Sequence, residues 1–341
     1  MCCPAVEGDK WSFKSRAARD SVSGSSLRER GMCVGTGQGP VSGLSALAYA
    51  TRAVQLIEEH ALARHRVDWA QVRMVVERDC ADVSTLSETY ATIEWVLGQL
   101  GDGHSFFSPP DRGTAAIASG TYSDEVAFPT GRMTADGIAT LIVPGFRGTA
   151  RQVDEYSDQL RELILSASDA RGWVVDLTGN WGGNMFPMLT GLAPLLGEGC
   201  IGGFEFVGGA REDWRLDPTG SLWVGEWLAL GSATQMNAAL ARSPVALLIG
   251  PQTASSGEAV AVAFSGRPMS RTFGLQTKGI STANETFDLS DGASLAVTVA
   301  RFVDRNGVVF GGSVEPDEAI DDLGDSAVEA ATSWILAGAP D

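Results

Sequence analysis

Hydrophobic residues recur along this chain first at helical spacing and then mostly in short apolar runs. From Ser42, the positions Leu44, Leu47, Val54, Ile57 and Ala61 fall close to one helical face. A second helix is expected over about 68–79. The third is better specified: Thr85 and Glu88 form a capping box, and Leu86, Tyr90, Ile93, Leu97 and Leu100 make one apolar face that ends at Gly101, a natural C-cap. Beyond that point strands and helices alternate. Ala139–Val143 and Trp173–Leu177 read as strands, with an amphipathic helix at about 151–169 between them. The turn Gly179-Asn180-Trp181-Gly182-Gly183-Asn184 leads into a helix at about 185–196. A β-rich stretch over 200–227 and a helix near 232–242 follow.

Val245–Ile249, bounded by Pro244 and Gly250, reads as a buried parallel strand. Ala259–Phe264 reads as a small-residue helix that stops near Gly266 and Pro268. Asp291-Gly292 marks a hairpin, Asn306-Gly307 another turn, and a last helix fills about 325–337. There is no internal repeat. The pattern is that of an α/β domain (109–341) preceded by an N-terminal helical cap (41–108). Residues 1–40, rich in Ser, Gly, Arg and Lys and without hydrophobic periodicity, read as a disordered leader.

Composition narrows the function classes. With 25 Lys and Arg against 42 Asp and Glu, the formal charge is −17, a surface that repels phosphate backbones and anionic lipid. Neither a nucleic-acid nor a membrane partner is expected, and no apolar run is long enough for a transmembrane helix. The five cysteines show no metal or redox spacing, and there are only three histidines: His60, His65 and His104. No metal site or cofactor is expected. His60 and His65, beside Glu58, Glu59 and Arg64, read as exposed helix residues. With no signal peptide in view and reduced thiols, the expected location is the cytoplasm. Oligomeric state is open.

The strand–turn–helix junction Thr253-Ala254-Ser255-Ser256-Gly257-Glu258 holds a serine at a helix N-terminus, where free backbone N–H groups and the helix dipole favour a developing negative charge. Ser and Thr are also the preferred N-caps, so on this stretch alone capping is the favoured reading, because such junctions are common and catalytic ones rare. Gly182 and Gly183 follow a strand end and open a helix, so their N–H groups can approach a carbonyl oxygen unobstructed. A phosphate loop is not supported there, because neither G-x-x-x-x-G-K-[ST] nor G-x-G-x-x-G follows the strand. Trp181 either lines the cleft or packs in the core.

Four segments in order, Asp102-Gly103-His104-Ser105, Asp176–Gly183, Thr253–Glu258 and Gly312-Ser313-Val314-Glu315-Pro316-Asp317, resemble the tail-specific (C-terminal processing) serine peptidase family over about 85–322. Only about 30 residues separate Ser108 from Leu141, too few for a PDZ domain, which places the resemblance in the PDZ-lacking branch with tricorn-like and interphotoreceptor retinoid-binding protein-like members.

The resemblance implies a Clp protease/crotonase-like spiral of ββα units and a serine peptidase acting on peptide or protein substrates. Ser255 takes the nucleophile position and Ser256 the capping one. His104 sits where the tricorn-like histidine belongs; an imidazole titrates near neutrality and suits general-base work. Glu315 takes the place of the carboxylate that orients it. Gly182, Gly183 and the N–H of Ser256 form the oxyanion hole. In the Ser–Lys members the lysine position aligns with Ile280; Lys278, two positions early and on the same face if this stretch is a strand, is a minor candidate. Asp317 is expected to be structural, Asp102 to point away from His104, and Asp176 and Asn180 to brace the glycine loop, in which Thr178 replaces the family arginine. Two further readings stay open: a non-proteolytic module binding apolar ligands on the same fold, and an acyl-transfer or ester hydrolase of a small-molecule pathway.

Overall fold

The computed structural model describes residues 45–110, 126–234 and 236–339. The expected leader over 1–40 and the first helical position, Leu44, lie outside the described residues. The chain divides into two compact units, one of residues 1–122 with 284–299 and one of 123–283 with 300–341.

The first unit carries helices Ala46–His60, Trp69–Cys80 and Tyr90–Leu100, close to the expected positions. Each begins where a side chain can take up orphan amides. Ser45 accepts from Ala48 N–H, and Asp68 from Ala70 and Gln71 N–H. Glu88 accepts the Thr85 N–H at 2.8 Å, the expected box, although the first turn, Leu86–Thr89, is a 3₁₀ turn. Gly101 closes the third helix at φ 60°. The apolar faces, including Tyr49, Ala53, Ile57, Ile93 and Leu100, are buried.

A short strand, Phe106–Ser108, pairs antiparallel with Ser294–Ala296. The hairpin expected at Asp291-Gly292 forms, with Gly292 at φ 87° and Leu289 N–H donating to Ala293 O. The Asp291 carboxylate accepts from the Tyr49 and Tyr90 hydroxyls, which ties the hairpin to two helices. His60 is not the exposed residue expected. It ends the first helix half-buried, its ring 4.6 Å from that of Phe287, because residues 284–299 return to pack on this helix. His65 is exposed.

The second unit is organised by a six-stranded sheet. Its order is Glu318–Ala319, Ser270–Gly274, Val245–Ile249, Gly172–Asp176, Ile138–Ile142 and Thr130–Met133, all parallel except the last. The central strands are buried on both faces, which is why they read as unbroken apolar runs. One face, with Val174, Ala246, Leu248 and Phe273, packs on Ala327, Ala331, Trp334 and Ile335 of the helix Asp325–Leu336. Helices Ala150–Ser166 and Ser256–Phe264 connect neighbouring strands.

The expected helix at 185–196 is two pieces, Met185–Gly191 and Ala193–Leu196, since Pro194 has no N–H to continue the ladder. Strands Gly199–Phe206, Arg211–Leu216, Leu222–Val224 and Trp227–Leu230 form an antiparallel layer that also pairs with Ala300–Asp304. Among the described residues of the helix expected near 232–242, only Leu240–Arg242 is helical, as a 3₁₀ turn. Tertiary acceptors take its backbone instead: Thr234 N–H donates to Thr219 O and Met236 N–H to Pro218 O.

One buried cation holds the start of the sheet. Arg267 donates to the carbonyls of Leu195, Ala241, Ser243, Pro268 and Met269 and to Ser270 Oγ. Burial lowers its pKa to about 10, so it stays charged at neutral pH. A lysine cannot reproduce this planar fork. Arg267→Lys is expected to lower the unfolding free energy by about 2–4 kcal/mol in urea titrations, since several carbonyls lose a charged donor. A loss under about 0.5 kcal/mol would show that the clamp is dispensable.

Candidate active site

The site in the second unit is assembled from the C-terminal ends of parallel strands, where this class of sheet presents its loops. Val245–Ile249 runs into the turn Gly250–Ser255, and Ser256–Phe264 starts at once. Thr253 closes that turn: its hydroxyl donates to Leu177 O at 2.8 Å and accepts from Gly250 N–H at 3.0 Å. Ser255 stands at the helix N-cap with φ 50° and ψ −112°, a backbone conformation that side-chain-bearing residues rarely adopt. Such strain costs on the order of 1–3 kcal/mol and persists only when the surroundings over-determine it. Ser255 is partly exposed, while its neighbours Ala254 and Ser256 are buried.

Glu258 is what over-determines it. This carboxylate, fully buried, accepts from Ser255 N–H (2.8 Å), Thr277 Oγ1–H, Gly279 N–H (2.9 Å) and Ile280 N–H (3.1 Å). Thr277 Oγ1 in turn accepts from Val314 N–H at 2.8 Å, and Thr277 N–H donates to Val314 O. One carboxylate thus gathers the serine turn, the 277–280 loop and the 312–317 segment. Burial pushes the Glu258 carboxyl above the usual carboxylate range, against the opposing pull of its four donors. Sequence reading passed over Glu258, although a lone acid in an otherwise apolar helix, three residues after a serine, was the available signal.

The glycine loop meets the serine from the other side. Asn180, fully buried, donates to Val143 O (3.0 Å) and accepts from Gly182 N–H (3.0 Å), and its backbone O accepts from Ala254 N–H (2.9 Å). Asp176 accepts from the N–H and hydroxyl of Thr178. Both residues therefore brace the loop, as expected. Gly182 packs so closely that a Cβ there would lie 2.9 Å from Ser255 Cβ and 3.3 Å from Ser256 N.

Gly182 corrects the expectation that it donates to an oxyanion: its N–H is spent on Asn180, and its role is close approach. Gly183 is exposed at φ 104°, and a Cβ there would collide with Phe146 O. Ser256 is a helix-start amide, and its hydroxyl donates to Gly183 O at 2.5 Å, locking the two loops together.

The other sequence candidates are placed as follows. Lys278 lies in a loop, not on a strand as its candidacy assumed, because the 277–280 amides go to Glu258, Val314 and Thr253 and none to a neighbouring strand. Its side chain is exposed. Glu315 is exposed one residue beyond the Val314–Thr277 link. Asp317 accepts from Thr272 N–H and Oγ1–H and is structural, as expected. His104 belongs to the first unit. There its N–H donates to Asp102 Oδ1 at 3.0 Å and its carbonyl accepts from Asn284 at 2.8 Å, so Asp102 braces the backbone of the turn.

Two expectations follow. Ser255→Gly should be more stable than Ser255→Ala by about 1 kcal/mol, because only glycine relaxes at φ 50°; equal denaturation midpoints would deny the strain. Glu258, with a folded pKa above its unfolded one, contributes stability that is full below the unfolded value and lost as pH rises through the folded one. The stability gap between wild type and Glu258→Gln should therefore narrow as pH is raised from about 4, measured by urea denaturation. A widening gap would mean that the four donors outweigh burial.

The sequence profile of peptidase family S41 matches residues 137–320, more than half of the chain. A nisin-resistance protein from Lactococcus lactis subsp. lactis is similar at 28% identity over 290 residues, 84% of this chain and 86% of that one. Among solved structures, a lipoprotein from Streptococcus agalactiae superposes with a TM-score of 0.73 at 24% identity, covering 87% of this chain and 98% of that one. The photosystem II D1 C-terminal processing protease does so with a TM-score of 0.55 at 16% identity, over 87% and 99%. These two likenesses speak for the fold, a mixed α/β architecture shared with processing proteases. The family profile spans the strands that carry the glycine loop, the serine turn and the 312–317 segment: the chain belongs to peptidase family S41 and is a serine-type peptidase acting on peptides or proteins.

Proposed function

We propose that Ser255 is the nucleophile of an acyl-enzyme peptidase, with His104 as its general base and Glu315 as the carboxylate that orients His104. The observation that carries this reading is Ser255 itself, a partly exposed serine held at φ 50° on a helix N-terminus with a glycine packed against its Cβ. Strain of this kind clusters at functional sites, and nucleophiles of acyl-transfer enzymes stand on such strand-to-helix turns.

In the reaction, His104 takes the Ser255 proton as Oγ attacks the scissile carbonyl. The oxyanion rests on the N–H groups of Gly183 and Ser256, each such donor contributing about 10²–10³ in rate. Collapse of the tetrahedral intermediate sends the proton from His104 to the leaving amine, and water then releases the acyl group by the same route. Capping and catalysis are compatible here: Glu258 takes the Ser255 N–H as the acid of a capping box, and Ser256 ties the turn to Gly183. The similarity to a nisin-resistance protein over most of both chains makes nisin one of the first peptides to test.

A fluorophosphonate is expected to label wild type on Ser255, mapped by mass spectrometry. Ser255→Ala should abolish labelling, His104→Ala should slow it by at least about 100-fold, and Lys278→Ala should leave it unchanged. Loss with Lys278→Ala alone would replace this mechanism by a Ser–Lys pair. Unlabelled, folded wild type would sink the nucleophile assignment. Gly182→Ala is a further check, since its Cβ would intrude on Ser255 Cβ and Ser256 N; labelling should fall by at least about 100-fold.

A further inference from the structure

Trp181 is unlike the rest of its loop. Asn180 before it is fully buried and Gly182 after it is buried against Ser255, yet the Trp181 side chain is 50% exposed. Leaving this much indole in water forgoes the favourable burial of a large apolar surface. The ring is nonetheless held. It lies on the backbone of Gly145, where a Cβ would come within 2.8 Å of Trp181 Cε2 and 2.9 Å of Cδ2. The Arg147 guanidinium carbon is 5.6 Å from the ring centroid, a cation–π distance.

The loop under the ring is stapled to the glycine loop. Phe146 N–H donates to Gly182 O at 2.9 Å, and Asn184 N–H donates to Phe146 O at 2.8 Å. A clamped aromatic surface therefore stands one residue from the glycine that touches the candidate nucleophile, with half its area open to solvent. Fixed aromatic rings lose little conformational entropy on binding, which makes them effective anchors for apolar groups.

We propose that Trp181 is a specificity-determining platform that receives an aromatic or large aliphatic side chain of the peptide substrate next to the scissile bond. This rests on the reading of Ser255 as nucleophile. It goes beyond that reading by naming a substrate class: peptides cut beside a bulky apolar residue, in preference to those with small or polar residues there.

The test separates the platform from the chemistry. Blocked pentapeptides of alanine, with a single Phe moved through each position, are titrated calorimetrically into the Ser255→Ala protein and into Ser255→Ala/Trp181→Ala. At one Phe position the second substitution should weaken binding at least about 10-fold, while the all-alanine peptide changes less than about 2-fold, and Trp181→Phe should recover most of the loss. With active enzyme, Trp181→Ala should raise KM for the Phe peptide and leave the rate of Ser255 fluorophosphonate labelling unchanged.

Equal weakening of both peptides, no weakening of either, or loss of labelling together with a lowered Tm would overturn the proposal, the last by showing that the ring only supports the loop. Failure of wild type to label would sink the nucleophile assignment alone, because the titrations need no turnover.

Discussion

The buried carboxylate of Glu258 is the constraint on which the site in the second unit depends. A carboxylate with no exposure is costly unless donors meet it, and here four do, from two separate places in the chain. The arrangement works in both directions. The donors make burial of the acid tolerable, and the acid gives the 277–280 amides partners that a loop would otherwise lack. Ser255 is held in its unfavourable conformation through the same group. The 312–317 segment is drawn in by one more link, through Thr277. Removing such a hub would orphan several buried donors together, each worth about 1–3 kcal/mol.

Around that hub the chain uses glycine for a specific geometric purpose. At Gly182 the need is space, since any side chain would meet Ser255 and Ser256. At Gly183 the need is both a positive φ and contact with Phe146 O. The two positions look alike in sequence but differ in setting: Gly182 is buried with its N–H on Asn180, and Gly183 is exposed with its carbonyl taken by the Ser256 hydroxyl. Bonds from Asn180 to Ala254 and from Ser256 to Gly183 fix the glycine loop against the serine turn. At the opposite end of the parallel sheet, the Arg267 clamp ties together the segments that lead into two of its strands.

Much of this was legible in the residues. Strand Val245–Ile249 was read with its observed bounds, because a β-branched and aliphatic run between Pro244 and Gly250 has few alternatives. The Thr85–Glu88 capping box located the start of the third helical stretch for the same local reason. What failed was whatever depended on distant partners. The segment near 232–242 has helical composition, but its amides find carbonyls at 218–219. The minor candidacy of Lys278 required a strand, and nothing local says that its neighbours' amides belong to a buried acid. His60 has the look of a surface helix residue until the 284–299 hairpin returns to cover it.

By itself, then, the sequence determined the succession of elements, the strand–turn–helix setting of Ser255 and the four ordered segments from which family S41 could be recognised. These are encoded in residues near one another, through apolar period, caps and turns. Only the tertiary structure decided that Glu258 is the hub, that Gly182 yields its amide to Asn180 while Gly183 does not, and that Trp181 stays half in solvent on a backbone shelf. Each of these turns on which group, tens of residues away, satisfies a buried donor or leaves room for a ring, and no local pattern carries that information.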